Sequence, residues 1–281
     1  MTVGPLIREW RSRRRLSQLE LSSQLGVSTR HLSFVETGRG KASRALLLRL
    51  AEHLDLPLRA RDELLLAGGF APAFGNRKLD DAAMEPVRRA IATLLAAHEP
   101  NPATAVDDTW NVVAANRGSA LLLGHVDPQL FDAAPNVMRL SLHPRGLAPH
   151  IENLTEVRSS LLRKVRRAAL LSGDPRLDAL YDELLSYADG SVDGTGPPAD
   201  DRVLLPVRLR THDGAVLNLL STVTTFGTPL DTTVAGLSTE TFLPADEPSA
   251  AYLATWFDGI DARIEQLTTG HPHLAAYVAG S

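Results

Sequence analysis

The chain of 281 residues contains no cysteine. That excludes disulfides, thiolate zinc sites and cysteine nucleophiles. Aromatic residues supply only 5% of it, so its cores must be built mainly from Leu, Val and Ala. No apolar run approaches the roughly 20 residues that a membrane-spanning helix needs. The N-terminus meets Arg8 and Arg11 before the apolar stretch of a signal peptide can form. A cytoplasmic protein without membrane contact is expected. GxSxG, Walker and GxGxxG motifs are also missing. The adjacent carboxylates Asp80-Asp81 and Asp107-Asp108 fall in a linker and a turn, with no nucleophile–base pair beside them. Neither an enzyme nor a metal or cofactor site is expected.

What is present is ordinary in amount and uneven in distribution. The apolar share of 44% and charged share of 22% suit a globular protein, and the length suits one large or two modest domains. The net charge of −4 hides an asymmetry. Residues 1–49 hold ten Arg or Lys against three acids, which is +7 and leaves −11 for residues 50–281. A basic head on an acidic body fits a nucleic-acid-binding domain attached to something with another task.

Residues Ser17 to Lys41 give the head its reading. Ser17 and Glu20 form a capping box, in which each side chain satisfies an orphan donor at a helix start. Leu21 and Leu25 repeat at i, i+4 and give that helix one apolar face. Gly26 stands where the chain must reverse, Ser28 can cap the next helix, and Leu32 and Val35 form its inward side. Thr29, Arg30, Ser33 and Phe34 then occupy the outward face. Two short helices held this way are a helix-turn-helix, whose second helix enters a DNA major groove. Around them, residues 5–15 predict a first helix, Ser43 caps a fourth with Leu46, Leu47, Leu50 and Leu54, and Pro57 starts a fifth.

The segment resembles the XRE family, the Cro and phage-repressor type of helix-turn-helix. The likeness rests on Gln18, on the "ELSSQLGVS" core and on "HLSFVETGRGKAS", and it covers about the first seventy residues. On this layout Thr29, Arg30, Ser33 and Phe34 read bases, with Arg30 placed for guanine and Phe34 for a thymine methyl. Thr29 departs from the Gln common among relatives. The competing reading of Phe34 is a core aromatic. Gln18, Thr37, Arg39, Lys41 and Arg44 are placed for phosphates, which position the domain without specifying sequence.

Residues 71–82 combine proline, glycine and charge without periodicity and read as a linker. Residues 84–98 predict an amphipathic helix. A short strand over Thr104–Asp107, a turn at Asp108-Thr109 and a partner strand over Trp110–Ala114 follow, with Asn116 opening a short helix that ends at Gly124. Helices are predicted over 152–171 and 175–187. Strands follow over Val203–Thr211 and Ala215–Phe226, joined at Asp213-Gly214, then over Thr232–Leu243. One helix over 249–268 closes the chain. The Arg163, Lys164, Arg166 and Arg167 cluster reads as a solvated helix face, with anion or ligand recognition as the lesser alternative.

Taken together the chain resembles the MmyB-like regulators, which fuse an XRE-type domain to a PAS-like ligand-binding domain. "HLSFVETGR", "DTWNVVAAN", "NVMRLSLHPRGLAP" with "IENL", and "FGTPLD" carry the likeness over roughly residues 5–245. It implies an N-terminal all-α, five-helix Cro/repressor-like domain (1–70), a linker (71–82), a C-terminal α+β PAS-like domain with an antiparallel sheet (83–245), and a C-terminal helix and tail (246–281). It also implies transcription regulation, with a fatty-acid-like apolar ligand in the PAS-like core. Trp110, Met138, Leu142 and Phe226 are the candidate lining, and Arg139 or His143 a candidate carboxylate partner. The expected partners are a double-stranded operator, a small apolar ligand and a second copy of the chain. Trp256, Phe257 and Ile260 form the candidate dimer surface, with packing inside the domain as the equal alternative. The rival readings are a DNA-bound scaffold for a protein partner and an enzyme tethered to DNA.

Overall fold

The capping box at Ser17 forms in full: Ser17 Oγ accepts from the Glu20 N–H at 3.2 Å, and the Glu20 carboxylate accepts from the Ser17 N–H at 2.7 Å. The computed structural model describes residues 2–131, 134–187, 204–270 and 272–278. Five helices open the chain: α1 (Val3–Arg13), α2 (Gln18–Leu25), α3 (Thr29–Glu36), α4 (Arg44–His53) and α5 (Leu58–Ala67). Gly26 ends α2 with φ +62°, a left-handed conformation that L side chains resist. Ser28 and Ser43 cap α3 and α4. The predicted apolar faces meet in one continuous core in which Leu21, Leu32, Val35, Leu47 and Leu50 are inaccessible to solvent. Gly4 lets α1 lie against the end of α3, since a Cβ there would stand 2.4 Å from the Glu36 carbonyl oxygen.

Glu36 is the polar centre of this bundle. Its buried carboxylate accepts from Arg11 Nε at 2.7 Å, Arg11 Nη2 at 3.0 Å and Gln18 Nε2 at 2.7 Å, which ties α1, α2 and α3 together. Burial pushes the carboxyl pKa up, but the Arg11 and Gln18 hydrogen bonds and the charges of Arg11 and Arg8 outweigh it, leaving it below the usual range.

Contacts divide the chain into two compact units. The first comprises Met1–Arg77 with Ala168–Asp174 and Thr228–Ala235, and the second the remainder. The segment expected as a linker is therefore partly built into the first unit. Asp62 accepts from the Ala73 and Phe74 N–H groups at 2.7 and 3.2 Å. Gly75 bridges Asp231, whose carboxylate accepts from the Arg77 N–H and guanidinium, both at 3.3 Å. These partners lie far apart in sequence, and no local pattern announces them.

The second unit is organised by an antiparallel sheet in the order β2-β1-β5-β4-β3. Its strands are β1 (Ala103–Val106), β2 (Val112–Ala115), β3 (Val207–Arg210), β4 (Val216–Thr225) and β5 (Ser238–Pro244). Before and between β2 and β3 come α6 (Glu85–Ala97), α7 (Ala120–Leu123), α8 (Val137–Leu142), α9 (Leu154–Ser172) and α10 (Pro175–Ser186). Two strands, helices and three strands reproduce the expected PAS-like order. Polar struts fix its turns. Asn116 caps the turn before α7 while bonding Ala103, Leu95 and Asn101, and Asn153 joins the start of α9 to Pro206 and Arg208.

Four expectations need correction. Trp110 is not in a strand: it sits in the β1–β2 turn at φ +63°, because the Asp107 carboxylate gathers the Thr109 and Asn111 N–H groups into a tight loop. The predicted strand from Thr232 starts instead as α11 (Thr232–Gly236), since Asp231 accepts from the Thr233 N–H at 2.9 Å and caps a helix ahead of β5. The C-terminal helix is two, α12 (Glu247–Phe257) and α13 (Ile260–Gly270), broken at Asp258-Gly259. Of the two equal alternatives for Ile260, a dimer surface or packing inside the domain, the second holds: it is 3% exposed and packs within the unit. Of the strand expected from Val203, β3 forms only from Val207; residue 203 lies outside the described residues.

Candidate DNA-reading face and ligand cavity

Helix α3 carries the first site. Its buried Leu32 and Val35 fix the inward side, so Arg30 faces solvent and Ser33 and Phe34 are half-buried. The Arg30 guanidinium lies over the Phe34 ring, 5.2 Å from its centroid. Phe34 takes no place in the core cluster. The stack preorganises a cation and an aromatic edge side by side. Thr29 shares a hydrogen bond of 2.9 Å with Ser22 Oγ, which holds its side chain against α2.

The basic excess of the head serves two ends. Arg14 donates to the Leu54 and Asp55 carbonyls at 2.7 and 2.8 Å, and Arg49 donates to the Leu25 carbonyl, so both close helix ends. Arg11 belongs to Glu36, and Arg13 pairs with Glu9 at 2.6 Å. Arg30, Arg39, Lys41 and Arg44 are exposed and pair with no carboxylate among the described residues. Gln18 gives its amide N–H to Glu36, and the Thr37 hydroxyl donates to the Ser33 carbonyl at 2.8 Å. Arg39, Lys41 and Arg44 among them are expected at phosphates, and Arg30 at a base.

The second site is a cavity of about 340 Å³ between the sheet and helices α8 and α9. Leu122, Met138, Ile151, Leu161, Leu209 and Phe242 supply apolar wall, and the exposed Leu204 and Val223 stand at its rim. Its polar end is Lys164, whose Nζ is 3.6 Å from Glu240 Oε1, with Ser221 donating to the same carboxylate. A volume above about 300 Å³, mostly apolar with a few convergent polar groups, is the usual form of a small-molecule site.

Of the candidate ligand residues, Met138 lines this cavity. Leu142 is fully buried but belongs to the surrounding core. Arg139 is held by Glu183 through bonds of 2.7 and 2.8 Å, and Tyr187 donates to the same carboxylate. Burial and Glu183 push the Tyr187 hydroxyl pKa up to about 12. His143 packs edge-on against Tyr187 at 4.8 Å, and burial lowers its pKa. Phe226 lines a separate hollow of about 80 Å³ with Ile91 and Leu237. Trp110, in its turn, lines neither space. The cation that reaches the cavity is Lys164, which the sequence read as part of a solvated helix face, with anion or ligand recognition as the lesser alternative. Its heptad-like spacing from Val157 and Leu161 on α9 was the available signal.

Two family models match the two parts of the chain. Residues 87–255 match the MmyB-like transcription regulator ligand binding domain, and residues 3–64 match a helix-turn-helix domain. Among solved structures, an RNA-binding light-oxygen-voltage receptor aligns with 94% of this chain and 62% of its own, at 15% identity and a TM-score of 0.27. No curated protein matches the chain. No helix among the described residues is long and apolar enough to cross a membrane. The ligand-binding match alone spans more than half of the sequence, and the chain belongs to the MmyB-like transcription regulators with an N-terminal helix-turn-helix.

Proposed function

We propose that this chain regulates transcription by reading an operator through α3 and by holding a lipophilic acid in the cavity between the sheet and α9. The observation that carries the reading is the pairing of a solvent-facing Arg30–Phe34 edge, flanked by unpaired Arg39, Lys41 and Arg44, with an aliphatic cavity ended by Lys164. An acid competes with Glu240 for the Lys164 ammonium, while its chain lies along Leu161, Ile151 and Phe242. Two copies on a palindrome would place the recognition helices one turn of DNA apart, and the acid acts by favouring one arrangement of the copies over another.

Native mass spectrometry of the purified chain, followed by thermal shifts with myristate and myristyl alcohol, tests the ligand. A retained acyl mass, or a larger shift with the acid that Lys164→Met erases, is expected. No retained lipid and no shift with either compound would leave a DNA-bound scaffold instead. Arg30→Ala tests the reading face: it should weaken operator binding by about 1–3 kcal/mol and relax specificity at one base. Equal losses on operator and random DNA would remove Arg30 from that role.

A further inference from the structure

The cavity beneath α9 has an acid where the fold offers apolar wall. Successive side chains of a strand point to opposite faces of its sheet. Glu240 and Phe242 alternate along β5, as Leu219, Ser221 and Val223 do along β4, and all five line this cavity. Strand β5 is paired on both sides, with β1 and β4. Glu240 therefore stands on the inner face of an interior strand, and it is only 8% exposed. Carboxylates are rare at such positions, because what replaces water around them must be other polar partners.

Those partners are few. Ser221, on the adjacent strand, donates to Glu240 Oε1. Lys164 Nζ is 3.6 Å from the same oxygen, an ion-pair distance longer than an ammonium–carboxylate hydrogen bond. Lys164 and Glu240 are the only charged residues that α7, α8, α9, β3, β4 and β5 bring to the wall, among the described residues. One positive and one negative charge leave the cavity electrically balanced before a ligand enters.

That balance sets a condition on the occupant. A neutral amphiphile leaves it unchanged. An ionised acid adds a second carboxylate beside a single ammonium, in a space walled mainly by aliphatic side chains, where repulsion is screened far less than in water. Two carboxylates that share a site do not both stay ionised, and one proton remains with them. It belongs to the pair and joins them by a charge-assisted hydrogen bond, leaving Lys164 with one negative charge to face.

We infer that Glu240 makes acid binding at this site proton-coupled: the acyl acid enters with one proton from solvent, held between its own carboxyl group and that of Glu240. The inference rests on the reading of this cavity as a site for a lipophilic acid, and it makes Glu240 the residue that sets the form in which the acid is bound. The regulator then answers to acidity as well as to the amount of acid, binding more tightly as pH falls.

Calorimetric titration of the full chain with micromolar myristate at pH 7 and pH 8, in phosphate and in Tris, tests the coupling. The two buffers differ in the heat of giving up a proton, so the difference between them counts the protons taken up. About one proton per myristate is expected, with binding about tenfold weaker at pH 8 than at pH 7. Myristyl alcohol should show neither effect. Glu240→Gln keeps an acceptor for Ser221 and removes the second carboxylate. It should bind myristate without proton uptake, equally at both pH values, and more tightly than the unaltered chain at pH 8. The buffer comparison uses the unaltered chain, so it decides even where the variant does not fold. Myristate that does not bind, or that Lys164→Met binds as well, overturns the reading of the cavity and this inference with it. Binding that Lys164→Met weakens, but that takes up no proton in the unaltered chain, overturns the inference alone. Undiminished uptake in Glu240→Gln does the same, since the proton would then lie elsewhere.

Discussion

The two units differ in how completely their buried polar groups and their cores are filled. In the helical head the buried carboxylate of Glu36 meets Arg11 and Gln18, and one continuous core surrounds it. In the second unit the buried imidazole of His125 keeps an unmet nitrogen, and the core falls into separate clusters with cavities among them. A reader of DNA must hold its recognition helix in one pose, and among the described residues of the head no buried side-chain polar atom lacks a partner. A sensor must leave room and unmet hydrogen bonds for what it senses.

The largest test of this contrast is Glu36→Gln. It leaves the mostly buried Arg11 without a counter-charge, and removing one partner of a buried pair costs about 3–5 kcal/mol. Denaturant unfolding followed by the tryptophan signal of Trp10 should show that loss in the head. A loss below about 1 kcal/mol would mean that α1, α2 and α3 do not depend on the carboxylate that joins them. The next test compares equal truncations. Leu32→Ala in the closed core should cost about 2–5 kcal/mol. Leu161→Ala, on an existing cavity wall, should cost clearly less, since part of its surface faces open space already. Equal costs would remove the distinction between the two cores.

That distinction also decides what the sequence could show. The head was legible nearly residue by residue because its signals are local: Ser17 with Glu20, Gly26, Ser28, and leucines at helical spacing. The run of two strands, helices and three strands along the chain was legible for the same reason, through Asp213-Gly214 and alternating segments. Where a single side chain overrode the local pattern, the reading failed. The β-branched run after Asp231 looked like strand until that carboxylate capped it, and Asp107 turned Trp110 out of the strand it was expected to join. The cavities were not legible. Lys164 meets Glu240 only because the sheet brings residues far apart in sequence together, and Arg139, chemically apt for a carboxylate ligand, is claimed by Glu183. The stack of His125 and His212 is likewise a product of tertiary packing.

Acid sharpens the comparison in a smaller way. His125 and His150 have pKa values lowered by burial, so in the folded state they bind protons less readily than in the unfolded chain. Their contribution is whole above the unfolded value of about 6.5 and is lost as pH falls toward their folded values. Glu36 is also depressed, yet its contribution is lost only below the unfolded carboxylate value of about 4.3. Between about pH 6.5 and pH 5 the second unit should therefore weaken while the head holds. Thermal melts followed at Trp256 and Trp10, in chains retaining one tryptophan each, would show it. Parallel loss of both units over that range would refute the assignment, as would an undiminished acid response in His125→Phe.

The smallest effect concerns the boundary between position and specificity within the head itself. Arg14 and Lys41 carry the same charge, but Arg14 closes the end of α4 whereas Lys41 is exposed and unpaired. Removing Lys41 should lower the slope of log affinity against log salt by about 0.9, equally on operator and random DNA, with stability unchanged. Arg14→Ala should instead leave the slope nearly intact and reduce stability, because the Leu54 and Asp55 carbonyls lose their donor. A salt slope that falls equally in both variants would mean that the whole basic surface contacts phosphate, and that the internal bonds of Arg14 do not withhold it from DNA.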